Sequence, residues 1–425
     1  MSSEKLRIKI AVIGGGIGGL CVAIHLLKFP HLDVQVYEAA HKFSEIGAGV
    51  AFGPNAARAM KCIDDSIHDA FLSQVTGNSP ECENDWFTFH FGTGPHAGDE
   101  IARVINETGQ TTVHRAKFLD ELVKLVPAGI AHFGKRLDRL VETEDEVQLH
   151  FLDGTTASAQ CVIGADGVHS VIRKHLLGAD HPATDAVFTG AVAYRGLVPM
   201  DKAVASMGER IARNSHIWSG HGGGFMIYPI DHGVTMNVVA INSSVKSWKG
   251  AWVQKVTVDQ VKSEFEGWSE LPQKILALLD PNDTSAWSMW DMLPAPTYAK
   301  GRIVMMGDAA HASTPWQGQG AGQAIEDALV LGHQIGTVGS LKDIPIALQA
   351  YDRVRRPRSQ KVCTTSREAG EMNSLRLPGV MDSAEEFRKN VEWRMEWIWH
   401  RDIQGECTES DVWFKFLKRE QSATQ

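Results

Sequence analysis

The sequence predicts an α/β fold in which a Rossmann-like domain is interleaved with a mixed β-sheet domain and followed by a helical C-terminal region. Three observations carry this. A strand–glycine turn–helix–strand unit opens the chain between Ile8 and Tyr37. Between residues 183 and 284 the apolar residues recur with a period near two, as in half-buried strands. A short apolar strand ending in Gly307-Asp308 then follows, so the first domain is discontinuous. The expected division is 6–80, 100–182 and 285–358 for the Rossmann-like domain, 81–99 and 183–284 for the β-sheet domain, and 359–425 for the helical region, whose polar tail runs from Lys418 to Gln425.

Ile8-Lys9-Ile10-Ala11-Val12-Ile13 is a β-branched run suited to a buried strand. Gly14-Gly15-Gly16-Ile17-Gly18-Gly19 follows, then an apolar helix through Leu27, then a second strand, Val34 to Tyr37, ended by Glu38. The glycines at 14, 16 and 19 have the spacing G-x-G-x-x-G. In that setting Gly14 permits the tight turn, Gly16 lets a pyrophosphate approach the backbone, and Gly19 lets helix and strand close up. The helix N-terminus offers unpaired N–H groups to phosphates, and Glu38 is placed to accept from a ribose diol. The glycines alone also fit a turn that serves only packing; the order strand–turn–helix–strand–acid favours a dinucleotide.

Nicotinamide and flavin dinucleotides share this fingerprint, so later segments must separate them. Glu45-Ile46-Gly47-Ala48-Gly49-Val50, followed by Ala51, puts glycines where a backbone can pass a flat ring system. Cys161 to Gly164 is a strand leading into Ala165-Asp166-Gly167, then Ser170 and a helix carrying Arg173. Ile303 to Met306 leads into Gly307-Asp308-Ala309-Ala310-His311 and on to Pro315-Trp316-Gln317-Gly318-Gln319-Gly320-Ala321-Gly322. No second G-x-G-x-x-G stands between a strand and a helix, which argues against a second, permanently bound dinucleotide.

In the middle of the chain Ala191 to Leu197, Gly224 to Ile230 and Gly233 to Ala240 read as strands of a sheet that roofs a site, with a helix near Val258 to Phe265 on its outer face. Val147 to Leu152 with Asp153-Gly154-Thr155 reads as a further hairpin arm. Arg195 interrupts an apolar strand, and Tyr228 lies in a parallel one. A buried arginine is costly unless it meets an anion. Arg195 therefore fits a structural ion pair, a solvated strand end or a binding site. Arg115 precedes a helix from Phe118 to Val126 and is either a solvated helix-start charge or a phosphate contact. His311 reads as a satisfied buried histidine, and Glu326 and Asp327 as helix packing or capping.

In this combination and order the motifs resemble the flavoprotein aromatic hydroxylases, the single-component class A monooxygenases, from Ile8 to about Arg358. The resemblance implies an FAD-binding domain of the aromatic-hydroxylase type, with NADH or NADPH as a transient co-substrate and O2 and a phenolic aromatic compound as the other reactants. Oxygen would reach the ring through a flavin C4a-hydroperoxide. It also implies Asp308 on the ribityl chain, Gly320 and Ala321 against the isoalloxazine, Arg115 near the pyrophosphate, and Asp166 near both FAD and the nicotinamide route. Arg195 and Tyr228 would hold a phenolate oxygen. The basic run from Tyr351 to Arg358 corresponds to the family's ion-pair cluster, although such a run is otherwise most often a solvated face.

Within the family, the stretches Glu45 to Ala56, Ala193 to Gly196 and Gly307 to Ala312 are similar to salicylate hydroxylases, which implies conversion of salicylate to catechol with loss of CO2. Trp316 stands where those enzymes usually carry histidine, and Tyr228 where bacterial members tend to have phenylalanine. These departures leave a second reading, hydroxylation of a larger phenolic secondary-metabolite intermediate, with or without dearomatisation. A flavin-dependent dehydrogenase or reductase on the same fold is a third.

Composition bounds the partners. Of 425 residues, 43% are apolar and 22% charged, as in a globular chain, and the net charge of −9 disfavours nucleic acid. Six scattered cysteines show no metal or disulfide spacing. No apolar run approaches the roughly eighteen residues of a membrane span, and a strand pattern begins within a few residues of Met1, so a cytoplasmic monomer or homodimer without a signal peptide is expected.

Overall fold

The opening strand is the centre around which the cofactor half is built. The computed structural model describes residues 7–43 and 49–424, so the stretch from Glu45 to Ala48 lies outside the described residues. Ile8–Ile13 pairs in parallel with Leu32–Tyr37 on one side and Cys161–Gly164 on the other, and Ile303–Met305 continues the parallel set. Ala131–His132 and Ala299–Lys300 complete a six-stranded sheet at its edges. Its strands Ile8–Ile13, Cys161–Gly164 and Ile303–Met305 are near-continuously apolar because both faces are covered, while Leu32–Tyr37 alternates. The helix Ile17–Leu27 packs against Gly320–Gly336, and Gly18 makes that approach possible: a Cβ there would lie 3.0 Å from the Cβ of Ala324.

The second layer is an eight-stranded mixed sheet in the order Val253–Lys255, Ser285–Asp291, Val187–Pro199, Thr235–Asn242, Gly223–Ile230, His216–Gly220, Asp85–Phe91, Glu100–Ile105. The period of two sorts its side chains. Ala191, Ala193, Met226, Tyr228, Val239 and Ile241 share the inner face, while Val192, Tyr194, Phe225, Ile227, Val238 and Ala240 share the outer one. The outer face is covered by Val258–Glu264 and Glu270–Leu276, where the sequence placed a helix.

Several boundaries differ from the sequence-based ones. Glu100–Ile105 and Ser285–Asp291 belong to the eight-stranded sheet, because they pair with Asp85–Phe91 and Val187–Pro199. The hairpin at Val147–Phe151 forms, but in a separate three-stranded sheet with Leu137–Glu142 and Thr156–Ala159, packed on the cofactor half. The division at residue 358 falls inside the helix Ile344–Asn373, which runs straight through Pro357. The polar tail is helical: Ile403–Thr424 is one helix, and Lys418 reaches Asp343 at 2.8 Å.

The basic run is not a solvated face. Arg355 is buried among Glu326 at 2.6 Å, Glu406 at 2.7 Å and Asp327 at 2.9 Å, and Arg358 meets Glu326 at 2.7 Å. This cluster ties the helix after the glycine turn, the long helix and the C-terminal helix together. All six cysteines are free thiols. Among the described residues no helix is long and apolar enough to cross a membrane, and no His/Cys/Asp/Glu group could hold a metal ion.

Candidate active site

A cavity of about 530 Å³ runs from the C-terminal ends of the parallel strands to the inner face of the eight-stranded sheet. Every site residue singled out in the sequence lines it: Gly14, Gly16, Gly19, Glu38, Ala51, Arg115, Asp166, Asp308, Gly320, Ala321, Arg195 and Tyr228.

The dinucleotide end is shaped by backbone. Gly14 has φ +105°, and a Cβ there would fall 2.2 Å from the carbonyl oxygen of Ala165. A Cβ on Gly19 would sit 2.1 Å from the carbonyl oxygen of Gly14, so turn and helix touch backbone to backbone. Glu38 accepts the N–H groups of Gly15 and Ala40, each at 2.7 Å, one on each carboxylate oxygen, which fixes the carboxylate while leaving lone pairs on both. Arg115 is the first residue of the helix Arg115–Lys124.

The two aspartates differ in kind. Asp166 accepts from the hydroxyl of Ser170 at 2.5 Å and from the N–H groups of Val171 and Ile172, so its carboxylate caps the helix that follows. Burial pushes its pKa up, with those hydrogen bonds opposing. Asp308 is exposed at the cavity and has no side-chain partner among the described residues. Its position is set from behind. Asp327 accepts the N–H of Gly307 at 2.9 Å and pairs with Nε2 of His311 at 2.5 Å. His311 is thus the satisfied buried histidine expected, while Glu326 and Asp327 are members of the ion cluster, not caps.

Arg195 and Tyr228 project from the sheet face. The Nε of Arg195 is buried without a hydrogen-bond partner, and its guanidinium lies 5.0 Å over the ring of Trp287. Burial lowers its pKa, and the neighbouring Tyr228 opposes that fall. Burial raises that of Tyr228, which Arg195 opposes. The Tyr228 hydroxyl donates to the carbonyl oxygen of Gly49 at 3.0 Å. Its proton is therefore committed to the strand Gly49–Phe52, not aimed at a ligand oxygen.

A third wall was not anticipated. Ala369, Met372 and Asn373 on the long helix, and Val391, Arg394 and Met395 on the helix Ala384–Trp399, close the cavity opposite the sheet. Both sets fall at i, i+3, i+4, a signal readable in the sequence; an arginine inside such an apolar stripe was the clue. Trp316 fills the corner between sheet and long helix. A Cβ on Gly370 would lie 2.6 Å from its Nε1, and one on Gly224 2.7 Å from its ring, so two glycines make the slot that holds the indole.

A glycine cradle facing an acid, an unpartnered carboxylate at Asp308, and the N-terminus of the helix Gly320–Gly336 suit the ribose, ribityl and ring portions of FAD. The chain belongs to the FAD binding domain family, whose model matches residues 101–366. Within it, the chain is a FAD-dependent monooxygenase of the salicylate hydroxylase type, with FAD as cofactor and NAD(P)H as the reductant typical of the family. It is 48% identical to the 6-methylsalicylate 1-monooxygenase of Aspergillus terreus, over 99% of this chain and 95% of that one. A salicylate hydroxylase of Pseudomonas putida is 36% identical, with 96% of each chain covered. A solved salicylate hydroxylase substrate complex superposes with a TM-score of 0.87 at 35% identity, covering 96% of this chain and 98% of the other.

Proposed function

We propose that the enzyme hydroxylates a 2-hydroxybenzoate at the carbon bearing the carboxylate and releases CO2, and that its substrate carries a small alkyl group beside that carboxylate, as in 6-methylsalicylate. Salicylate itself is the simpler member of the same class. The observation that carries this reading is Arg195: a cation in the cavity with no acid to balance it among the described residues awaits an anionic ligand. The similarity to the Aspergillus terreus enzyme supports the alkyl substituent, and the apolar side chains of Ile217, Met226 and Val239 on the sheet wall give it somewhere to lie.

The reaction balances as one 2-hydroxybenzoate, one NAD(P)H, one O2 and two protons giving one catechol, one NAD(P)+, one water and one CO2. Bound FAD supplies the electron transfer and oxygen activation. The chain's own residues bind, orient and exclude water. Arg195 stabilises the substrate's phenolate oxygen, and ionisation of the phenol makes the neighbouring ring carbons more nucleophilic. Tyr228, its hydroxyl donating to the carbonyl oxygen of Gly49, bounds the ring and holds the strand beside the cofactor; the pairing expected of both residues at the phenolate oxygen falls to Arg195 alone. Asp308 would hold ribityl hydroxyls, and Glu38 the adenosine ribose. Arg115 and the turn at Gly14 and Gly16 would face the pyrophosphate, while Ala51, Gly320 and Ala321 would flank the ring system. Asp166 acts by shaping the turn at the cofactor's edge.

The test is NAD(P)H oxidation by FAD-loaded enzyme with 6-methylsalicylate or salicylate, followed by product analysis. Catechol formation stoichiometric with NAD(P)H and CO2 supports the reading. Stimulated oxidation yielding only hydrogen peroxide, or a product that keeps its carboxylate, overturns it.

A further inference from the structure

Arg195 leaves one edge of its guanidinium open. The residue stands on the strand Val187–Pro199, opposite Val239 on one neighbouring strand and Ser285 on the other. Trp287, two residues beyond Ser285 and so on the same face, places its ring 5.0 Å from the guanidinium. The Nε is buried without an acceptor. Nη1 and Nη2 have no hydrogen-bond partner among the described residues and, unlike Nε, are not closed off, so they are the atoms that Arg195 presents to the cavity. The sheet wall around them is apolar, with Ile217, Met226 and Val239. The other polar groups nearby are committed: the Tyr228 hydroxyl donates to Gly49, and Arg394 on the helical wall donates to Asn390, Thr365 and Glu368.

The two Nη groups of a planar fork point the same way, side by side, and suit two acceptors that also lie side by side. In a 2-hydroxybenzoate the ring oxygen and the nearer carboxylate oxygen form such a pair, because their carbons are adjacent; in the 3- and 4-hydroxy isomers the two functions point apart. We propose that Arg195 clamps both oxygen functions of the substrate at once, one Nη on the phenolate oxygen and the other on the nearer carboxylate oxygen. This rests on the 2-hydroxybenzoate reading and adds to it a physical cause for selecting the ortho isomer. The clamp also serves the loss of CO2. Once oxygen has entered at the carbon bearing the carboxylate, the ring oxygen is a carbonyl. The bond to the carboxylate then breaks, and its electron pair returns through the ring to that oxygen, where Arg195 is already in place to stabilise the negative charge. The catechol monoanion takes a proton from solvent on release.

Arg195→Lys keeps the charge and removes the fork, and 4-hydroxybenzoate keeps both oxygen functions and separates them. Binding to the FAD-loaded enzyme is followed by the change in flavin absorbance. The parent is expected to bind salicylate about tenfold or more tighter than 4-hydroxybenzoate, and Arg195→Lys to weaken salicylate by about tenfold or more while leaving 4-hydroxybenzoate within about twofold. Should Arg195→Lys fail to fold or to retain FAD, the parent alone decides with benzoate and 2-methylphenol, each of which keeps one oxygen function; both are expected to bind about tenfold or more weaker than salicylate. A variant that leaves salicylate unchanged or shifts both ligands equally, or a single-function ligand that binds the parent within about twofold of salicylate, overturns the clamp and leaves the 2-hydroxybenzoate reading standing. A parent that forms no catechol from salicylate and no 3-methylcatechol from 6-methylsalicylate overturns that reading and the clamp with it.

Discussion

The guanidinium of Arg195 lies 5.0 Å over the ring of Trp287, which makes an aromatic face the support of the cavity's unbalanced cation. Trp287 is itself fixed, its Nε1 donating to the hydroxyl of Ser285 at 2.9 Å. A stack of this kind stabilises by about 1 kcal/mol, a factor of about five in binding. Trp287→Leu is therefore expected to retain FAD and raise KM for a 2-hydroxybenzoate by about fivefold, with a smaller fall in kcat, and Trp287→Phe to recover most of the loss. Steady-state kinetics on the two variants checks this.

Removing the cation itself has a larger effect. Arg195→Gln should keep the yellow FAD-loaded form and lower kcat/KM by about a hundredfold or more, because the phenolate loses its charge partner. Unchanged turnover would remove Arg195 from the site.

Where chemistry was local in sequence, it was legible. The turn at Gly14 to Gly19, the acid at Glu38 and the strand ending in Gly307-Asp308 could be read because residue type and spacing mark each motif, even though Glu38 meets Gly15, Gly14 abuts Ala165 and Gly307 donates to Asp327 only in the fold. What could not be read depends on partners far along the chain. Tyr228 donates to Gly49 and Arg355 meets Glu406, pairings that only the folded chain brings together. The helix that continues through Pro357 and the helical order of the polar tail rest on partners just as distant, Glu326 and Asp343. Asp166 differs, since its partners lie four to six residues on; its capping role was open to a local reading.

The ion cluster behind Asp308 makes stability depend on pH. Burial pushes Glu326 and Asp327 up, but Arg358 and Arg355 on the first, and His311 and Arg355 on the second, hold both down at about 2, against usual values of 4.5 and 3.8. Folded values below the unfolded ones mean that this contribution is complete above about pH 5 and is lost as pH falls from there towards 2. Thermal unfolding should show a flat Tm above about pH 5 and a steep fall below it, with FAD released over the same range because Asp327 holds the N–H of Gly307. Glu406→Gln should cost about 3–5 kcal/mol by leaving Arg355 short of one acid.

The slot around Trp316 is a steric prediction. Gly370→Ala would put a methyl group 2.6 Å from the indole nitrogen, which pushes the ring into the cavity. A fall of about tenfold in kcat/KM with FAD retained is expected, and adding Trp316→Phe should restore much of it.

The proposed seat of the ribityl chain at Asp308 predicts an effect on cofactor retention. Asp308→Ala should weaken FAD binding by about tenfold to a hundredfold, read as colour lost on dialysis, with Tm of the apo form within about 2 °C of the parent. A variant that stays fully yellow would contradict that role.

The central claim is that an aromatic carboxylate is replaced by a hydroxyl at the carbon that bore it. The most direct measurement is the mass balance of 6-methylsalicylate turnover under 18O2 with limiting NAD(P)H. The account predicts 3-methylcatechol with one labelled oxygen and one equivalent of CO2 per NAD(P)H consumed. A hydroxylated product that retains its carboxylate, or NAD(P)H consumption that yields hydrogen peroxide and unchanged 6-methylsalicylate, would contradict it.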